Sequence, residues 1–112
     1  MFNGNNKIGV LYATYYVYIM TNSGNKVLYT GVTNDLVKRC IEHRTKEHEH
    51  SFTARYNLNK LVYYEAYNDI NVAIGREKQI KAGSRRKKIE LIMKENSMWL
   101  DLFETSIGID YI

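Results

Sequence analysis

From Tyr15 to Met20 the chain reads YYVYIM, a β-branched and aromatic run; TNSGN then supplies turn formers, and KVLYTGV resumes the strand pattern. Together they predict a β-hairpin. A two-residue Ser23-Gly24 loop pairs Asn22 with Asn25 and, counting outward, Tyr18 with Tyr29 and Tyr16 with Gly31, and a longer loop through Thr21 to Lys26 keeps that pairing. Two tyrosine hydroxyls then sit side by side on one face. Gly31, lacking a side chain, leaves room there for a ligand or another backbone. In VTNDL, Thr33 or Asn34 is the expected N-cap, with Asp35 in the first turn of a helix reaching about Lys46 on an apolar arc of Leu36, Val37, Cys40 and Ile41. Residues 47–57 have no period and read as an exposed, mobile loop. A third strand is expected over Leu58 to Ala66. Asn68 or Asp69 caps a second helix to about Ala82, where Gly83 takes the left-handed position, and Ser84 opens a third helix closing near Asn96. MWLDL docks Trp99 and its leucines back on the body. The order β-β-α-β-α-α fits an α/β arrangement of the α+β type, a small three-stranded antiparallel or mixed sheet flanked by helices. The first dozen residues lack periodicity and read as an extension able to add an edge strand.

Length changes this picture little: 112 residues suffice for one domain spanning 1–112, with a core at about 15–102 and extensions at 1–14 and 103–112. Charge adds a direction. Sixteen Lys and Arg against twelve Asp and Glu leave a formal +4, which favours polyanionic partners. One cysteine, Cys40, excludes an internal disulfide and points to a reducing, cytoplasmic setting. The longest apolar stretch, Ile8 to Met20, is too short and too rich in tyrosine to span a bilayer, so no membrane partner is expected. Ten tyrosines suit either a base-stacking surface or ordinary strands and core, and composition does not choose.

A few residues sit oddly in this pattern. At about 100° per residue, Ile70, Ala73, Ile74 and Ile80 share one arc of the second helix, and Glu77 falls inside it. A carboxylate on a core-facing arc is costly unless paired, protonated or holding a metal. Two explanations stand level: a structural pair with Lys81 four residues on, or a ligand or catalytic role. Arg39 and His43 stack one turn apart beside Leu36. Each alone reads more readily as a solvated surface residue than as a site residue, although both suit phosphate chemistry, Arg by bidentate grip and His by proton transfer. Tyr18 and Tyr29, taken alone, read best as a stabilising cross-strand pair. Arg76, Lys78, Lys81, Arg85, Arg86, Lys87 and Lys88 are nearly unopposed until Glu90; such a run is commonly a solvated face, but across a helix junction it also suits a phosphate backbone.

The segments YVYIMTN, LYTGVTNDLVKRCIEH, REKQIK and KKIELI, in this order and spacing, resemble the GIY-YIG endonuclease domain, closest to its small stand-alone bacterial members, over about Tyr15 to Leu102. The resemblance implies cleavage of DNA phosphodiester bonds with one divalent metal ion, Mg²⁺ or Mn²⁺. It carries the first motif's tyrosine onto Tyr18, the second motif onto Tyr29-Thr30-Gly31, the helix arginine onto Arg39, a histidine of some members onto His43, and the metal-binding glutamate onto Glu77. A late asparagine of several members corresponds to Asn96. The chain departs from the pattern at Tyr16, in place of a leading glycine, and at Val32, where some members carry lysine.

On this resemblance Glu77 becomes a metal ligand, Arg39 neutralises charge on the phosphate oxygens, and Tyr18 positions the water or leaving group. Tyr29 takes the proton of the attacking water, with His43 as the rival base, better matched to neutral pH; an ordinary tyrosine titrates at about 10, so Tyr29 would need help from the metal or Arg39. Gly31, Arg76, Lys81, Arg85, Arg86 and Asn96 are the expected substrate contacts. The reading is therefore a nuclease acting in DNA repair or recombination on branched or single-stranded DNA, with weak sequence specificity because the chain leaves no room for a targeting domain. Two rivals stand beside it: a nucleic-acid-binding module without turnover, and a protein-interaction domain.

Overall fold

The computed structural model describes residues 13–46 and 55–107. Expectations for the first dozen residues and for most of the 47–57 loop fall outside them. Strands β1 (Tyr15–Thr21), β2 (Leu28–Thr33) and β3 (Lys60–Tyr67) form one antiparallel sheet in the order β2-β1-β3. Helix α1 (Leu36–Thr45) covers one face, while α2 (Ile70–Ala82) and α3 (Arg85–Glu95) cover the other, and a π-helical turn, Phe103–Ile107, follows. Being central, β1 is covered on both sides, so Val17 to Thr21 are all buried rather than alternating. The fold class is the expected one, with the sheet wholly antiparallel.

The hairpin register differs from the expectation. Tyr18 faces Gly31, Tyr16 faces Thr33 and Met20 faces Tyr29, a shift of two residues. The cause lies in the loop, which takes six residues, 22–27. Asn25 adopts φ 57° and donates its N–H to Asn22 O at 2.9 Å, while Asn22 Oδ1 accepts from the N–H groups of Lys26 at 2.8 Å and Val27 at 3.4 Å. An even shift leaves every side chain on its original face, so Tyr18 and Tyr29 still share one. Gly31 does not leave a vacancy: a Cβ there would lie 2.5 Å from Tyr18 Oη, because the Tyr18 ring covers it.

On β3 the strand begins two residues later than expected, and its pairing with β1 shifts between Ile19 and Met20, so Val62 is an extra residue in the ladder. This bulge resets the alternation. Val62 and Tyr63 both join the cluster under α2 and α3, with Val17, Ile19, Ala73, Ile80 and Ile92. The α1 side gathers Tyr18, Met20, Leu36, Cys40, Leu58 and Leu61.

Helix ends show the remaining corrections. Asp35 itself caps α1, its carboxylate accepting from the Lys38 N–H at 3.1 Å, rather than lying within the first turn. Asp69 caps α2 and Ser84 caps α3. Gly83 closes α2 in extended conformation, φ −74°, not left-handed. Ile70 is 46% exposed, because it stands at the first turn of α2, beyond the sheet's cover. Trp99 packs on the core as expected, whereas Leu100 is exposed.

Candidate active site

Helix α1 lies over β1 and β2 so that two side chains of its flank meet the strand tyrosines. The fully buried Tyr18 hydroxyl accepts a hydrogen bond from Arg39 Nη1 at 3.2 Å and lies 3.5 Å from His43 Nε2. The Tyr29 ring stands edge-on to Tyr18, centroids 6.3 Å apart, and edge-on to His43 at 6.2 Å. Four sequence-selected residues therefore share one cluster. Arg39 also pairs with Glu42 through Nε at 3.2 Å, which leaves part of its five-donor fork uncommitted. Burial pushes the Tyr18 hydroxyl up to about 12 against the lowering influence of Arg39, so it keeps its proton at neutral pH.

Glu77 approaches the same sheet edge from the opposite face. Ala73, Glu77 and Ile80 lie along one stripe of α2, and Glu77, 13% exposed, pairs with Lys81 Nζ at 2.8 Å. Lys81 in turn lines a cleft with Tyr29 and interacts electrostatically with it. Hydrogen bonding to Glu77 holds the Lys81 ammonium above its ordinary pKa, with Tyr29 adding in the same direction. Of the two level explanations of Glu77, the pair with Lys81 is present, and it sits beside the tyrosine cluster. Among the described residues β2 is an edge strand, so no described strand separates Tyr29 from the α2 side.

Other expected contacts are placed elsewhere. Arg76 forms a two-pronged pair with Glu65 of β3, Nε and Nη2 each 2.9 Å from a carboxylate oxygen, and donates to Gln79 through Nη1. Tyr63 and Tyr67 donate to the same carboxylate. Burial works to raise the Glu65 pKa, yet hydrogen bonds from Arg76, Tyr63 and Tyr67 prevail and lower it to about 2. Asn96 is buried on the α2–α3 side: its Nδ2 donates to Val62 O at 3.1 Å and Leu100 O at 2.9 Å, and its Oδ1 accepts from Leu100 N–H. It satisfies the carbonyl of the bulged residue and caps α3, so its amide is committed within the fold. Arg86 is exposed and pairs with Glu90, while Arg85 reaches Asn25 O at 3.4 Å, near the hairpin loop. Lys88, a member of the basic run that suits a phosphate backbone, lines the cleft beside Tyr29.

A three-stranded antiparallel sheet with a tyrosine, arginine and histidine cluster at its edge and a carboxylate arriving from a later helix is the frame of a small nuclease domain. The chain belongs to the GIY-YIG family, a family of endonucleases: the model of the GIY-YIG catalytic domain matches residues 14–90. Among individual proteins it is similar to a UPF0213 protein of Syntrophus aciditrophicus, 40% identical over 81 residues, covering 72% of this chain and 91% of that one. A UPF0213 protein of Haloquadratum walsbyi is 36% identical over 81 residues, covering 69% and 84%. The solution NMR structure of a UPF0213 protein from Bacillus halodurans matches with a TM-score of 0.51 and 27% identity, covering 83% of this chain and 97% of that one. No helix among the described residues is long and apolar enough to cross a membrane.

Proposed function

We propose that the protein is a metal-dependent endonuclease that hydrolyses DNA phosphodiester bonds. The observation that carries this reading is the Tyr18 hydroxyl held between Arg39 and His43 with Tyr29 alongside, at the strand edge that Glu77 and Lys81 reach from the other face. Tyr18 retains its proton and acts as a hydrogen-bonding post that fixes Arg39 and His43. Arg39 keeps donors for the non-bridging phosphate oxygens, where charge grows in the transition state. Tyr29 stands at the rim and takes the proton of the attacking water; His43, in contact with both tyrosines, is the alternative base.

The residues present fit a divalent ion held through one carboxylate. Among the described residues Glu77 pairs with one cation, Lys81, which is half exposed and free to swing away, and one carboxylate completed by water and substrate oxygens suits Mg²⁺ or Mn²⁺. Among the described residues no group of three His, Cys, Asp or Glu offers a denser site. A bound ion would polarise the scissile phosphate and steady the leaving oxygen. Lys81, Lys88 and Arg85 near the edge suit phosphates rather than base edges, which supports a substrate chosen by structure, branched or single-stranded, with weak sequence preference, as in repair or recombination.

The test is incubation with Mg²⁺ or Mn²⁺ and a panel of duplex, single-stranded and branched DNAs. Cleavage that disappears in Glu77→Gln is the expected result. Salt-sensitive DNA binding that survives Glu77→Ala, without cleavage by the wild type, would instead favour a binding module.

A further inference from the structure

The corner where α2 gives way to α3 contains a cleft that shares only Tyr29 with the tyrosine cluster. Leu28, Tyr29, Thr30, Lys81 and Lys88 line an open space of about 290 Å³ on the α2 side of β2. Thr30 is only 4% exposed, yet its hydroxyl has no hydrogen-bond partner among the described residues. Buried hydroxyls are ordinarily satisfied, so an orphan in a cleft wall asks what completes it. Lys88 Nζ donates to Gly83 O at 2.6 Å and Lys81 O at 3.3 Å. Two carbonyls at the end of α2 thus hold this ammonium in place, and its third proton remains. Lys81 commits one of its three donors to Glu77. No carboxylate is among the residues lining the cleft, so two ammonium groups face it, Lys88 held by its carbonyls and Lys81 paired with Glu77 from behind, with the Thr30 hydroxyl buried in the wall.

We propose that this cleft binds a second backbone phosphate of the nucleic acid, gripped by Lys88 and Lys81 with the Thr30 hydroxyl as a further donor. The strand then crosses the β2 edge, with Tyr29 standing between this phosphate and the one facing Arg39. Tyr29 supports the geometry, since it belongs both to the cleft wall and to the cluster around Tyr18. The proposal rests on the nuclease reading above and adds a contact that fixes where the strand runs.

The experiment measures affinity for a fluorescent DNA oligonucleotide against salt, in EDTA, for the wild type and for Lys88→Gln, Lys88→Arg and Thr30→Val. Loss of one phosphate contact lowers the slope of log K against log salt by about 0.7–0.9. Lys88→Gln should show that drop with about tenfold weaker binding, and Lys88→Arg should restore both. Thr30→Val should weaken binding severalfold while raising the melting temperature, because it removes an unsatisfied hydroxyl; a merely structural Thr30 would move the melting temperature alone. If Lys88→Gln and Thr30→Val keep wild-type affinity and slope while the wild type binds and cleaves DNA, the subsite is wrong and the nuclease reading stands. Failure of the wild type to bind any DNA overturns both. Inorganic phosphate serves as the control: stabilisation by phosphate that depends on Lys88, with oligonucleotide affinity that does not, assigns the cleft to a free anion and overturns the proposal.

Discussion

The two faces of the sheet each carry a cluster of tyrosine and arginine, and the clusters behave as opposites. Under α2, Glu65 receives Arg76, Tyr63 and Tyr67, so the arginine fork lies flat on a carboxylate and is spent. Under α1, the arginine meets a phenol instead: Arg39 touches Tyr18 by one nitrogen and Glu42 by another, and its side chain is 37% exposed against 26% for Arg76. A two-pronged carboxylate closes the first cluster and makes it a clamp; its absence leaves the second able to accept a ligand. Residue type does not separate structure from function here, but the partner of each arginine does.

Substitutions can break that contrast. The largest effect belongs to Arg39→Ala, which should cut cleavage by at least about 100-fold while the melting curve stays close to wild type. Arg76→Ala should do the reverse, stranding Glu65 and costing about 3 kcal/mol, with the activity of the remaining folded protein retained. Denaturant melts alongside single-turnover cleavage separate the two, and an Arg76→Ala protein that is stable but inert would invert the comparison. Next comes Gly31→Ala: the added methyl meets the Tyr18 ring, so a loss of about 1–3 kcal/mol should accompany a loss of cleavage.

The closed clamp also has a pH signature. Glu65 titrates near 2 in the folded chain, below its ordinary value of 4.5, so its stabilisation is complete above about 4.5 and disappears as pH falls toward 2. Acid melts should show a loss on the order of 2 kcal/mol across that window, absent in Glu65→Gln. In the open cluster, Tyr29→Phe should depress the rate across the pH range. If instead Tyr29→Phe works at a near-normal rate and His43→Ala removes the acid limb of the profile, the base is His43. Smallest of all, Arg86→Ala should shift stability by less than about 0.5 kcal/mol, its pair with Glu90 being well exposed.

Much of this was legible because it depends on local pattern. Strand runs, caps and the 3.6-residue arc that singles out Glu77 are properties of neighbouring residues, and the even hairpin shift preserved the face shared by Tyr18 and Tyr29. What escaped depends on residues far apart in the chain. Nothing near Val62 announces a bulge, so the side on which Glu65 would fall, and hence the capture of Arg76, was invisible. Asn96 resembled a site residue by order along the chain, but its partner is a backbone carbonyl that only the bulge exposes.

That bulge also decides what can be cut from the chain and still stand. Its loose ends are tied by residues that come later: Asn96 takes the Val62 carbonyl, and the Asp101 carboxylate takes the Leu61 N–H at 3.3 Å while holding Arg44 of α1. Both ties lie past residue 90, where the family match ends. A transplantable module drawn at the boundary of sequence similarity would therefore carry the tyrosines, Arg39 and Glu77 intact and lose the stitches that keep their sheet in register; the graftable unit extends through Asp101.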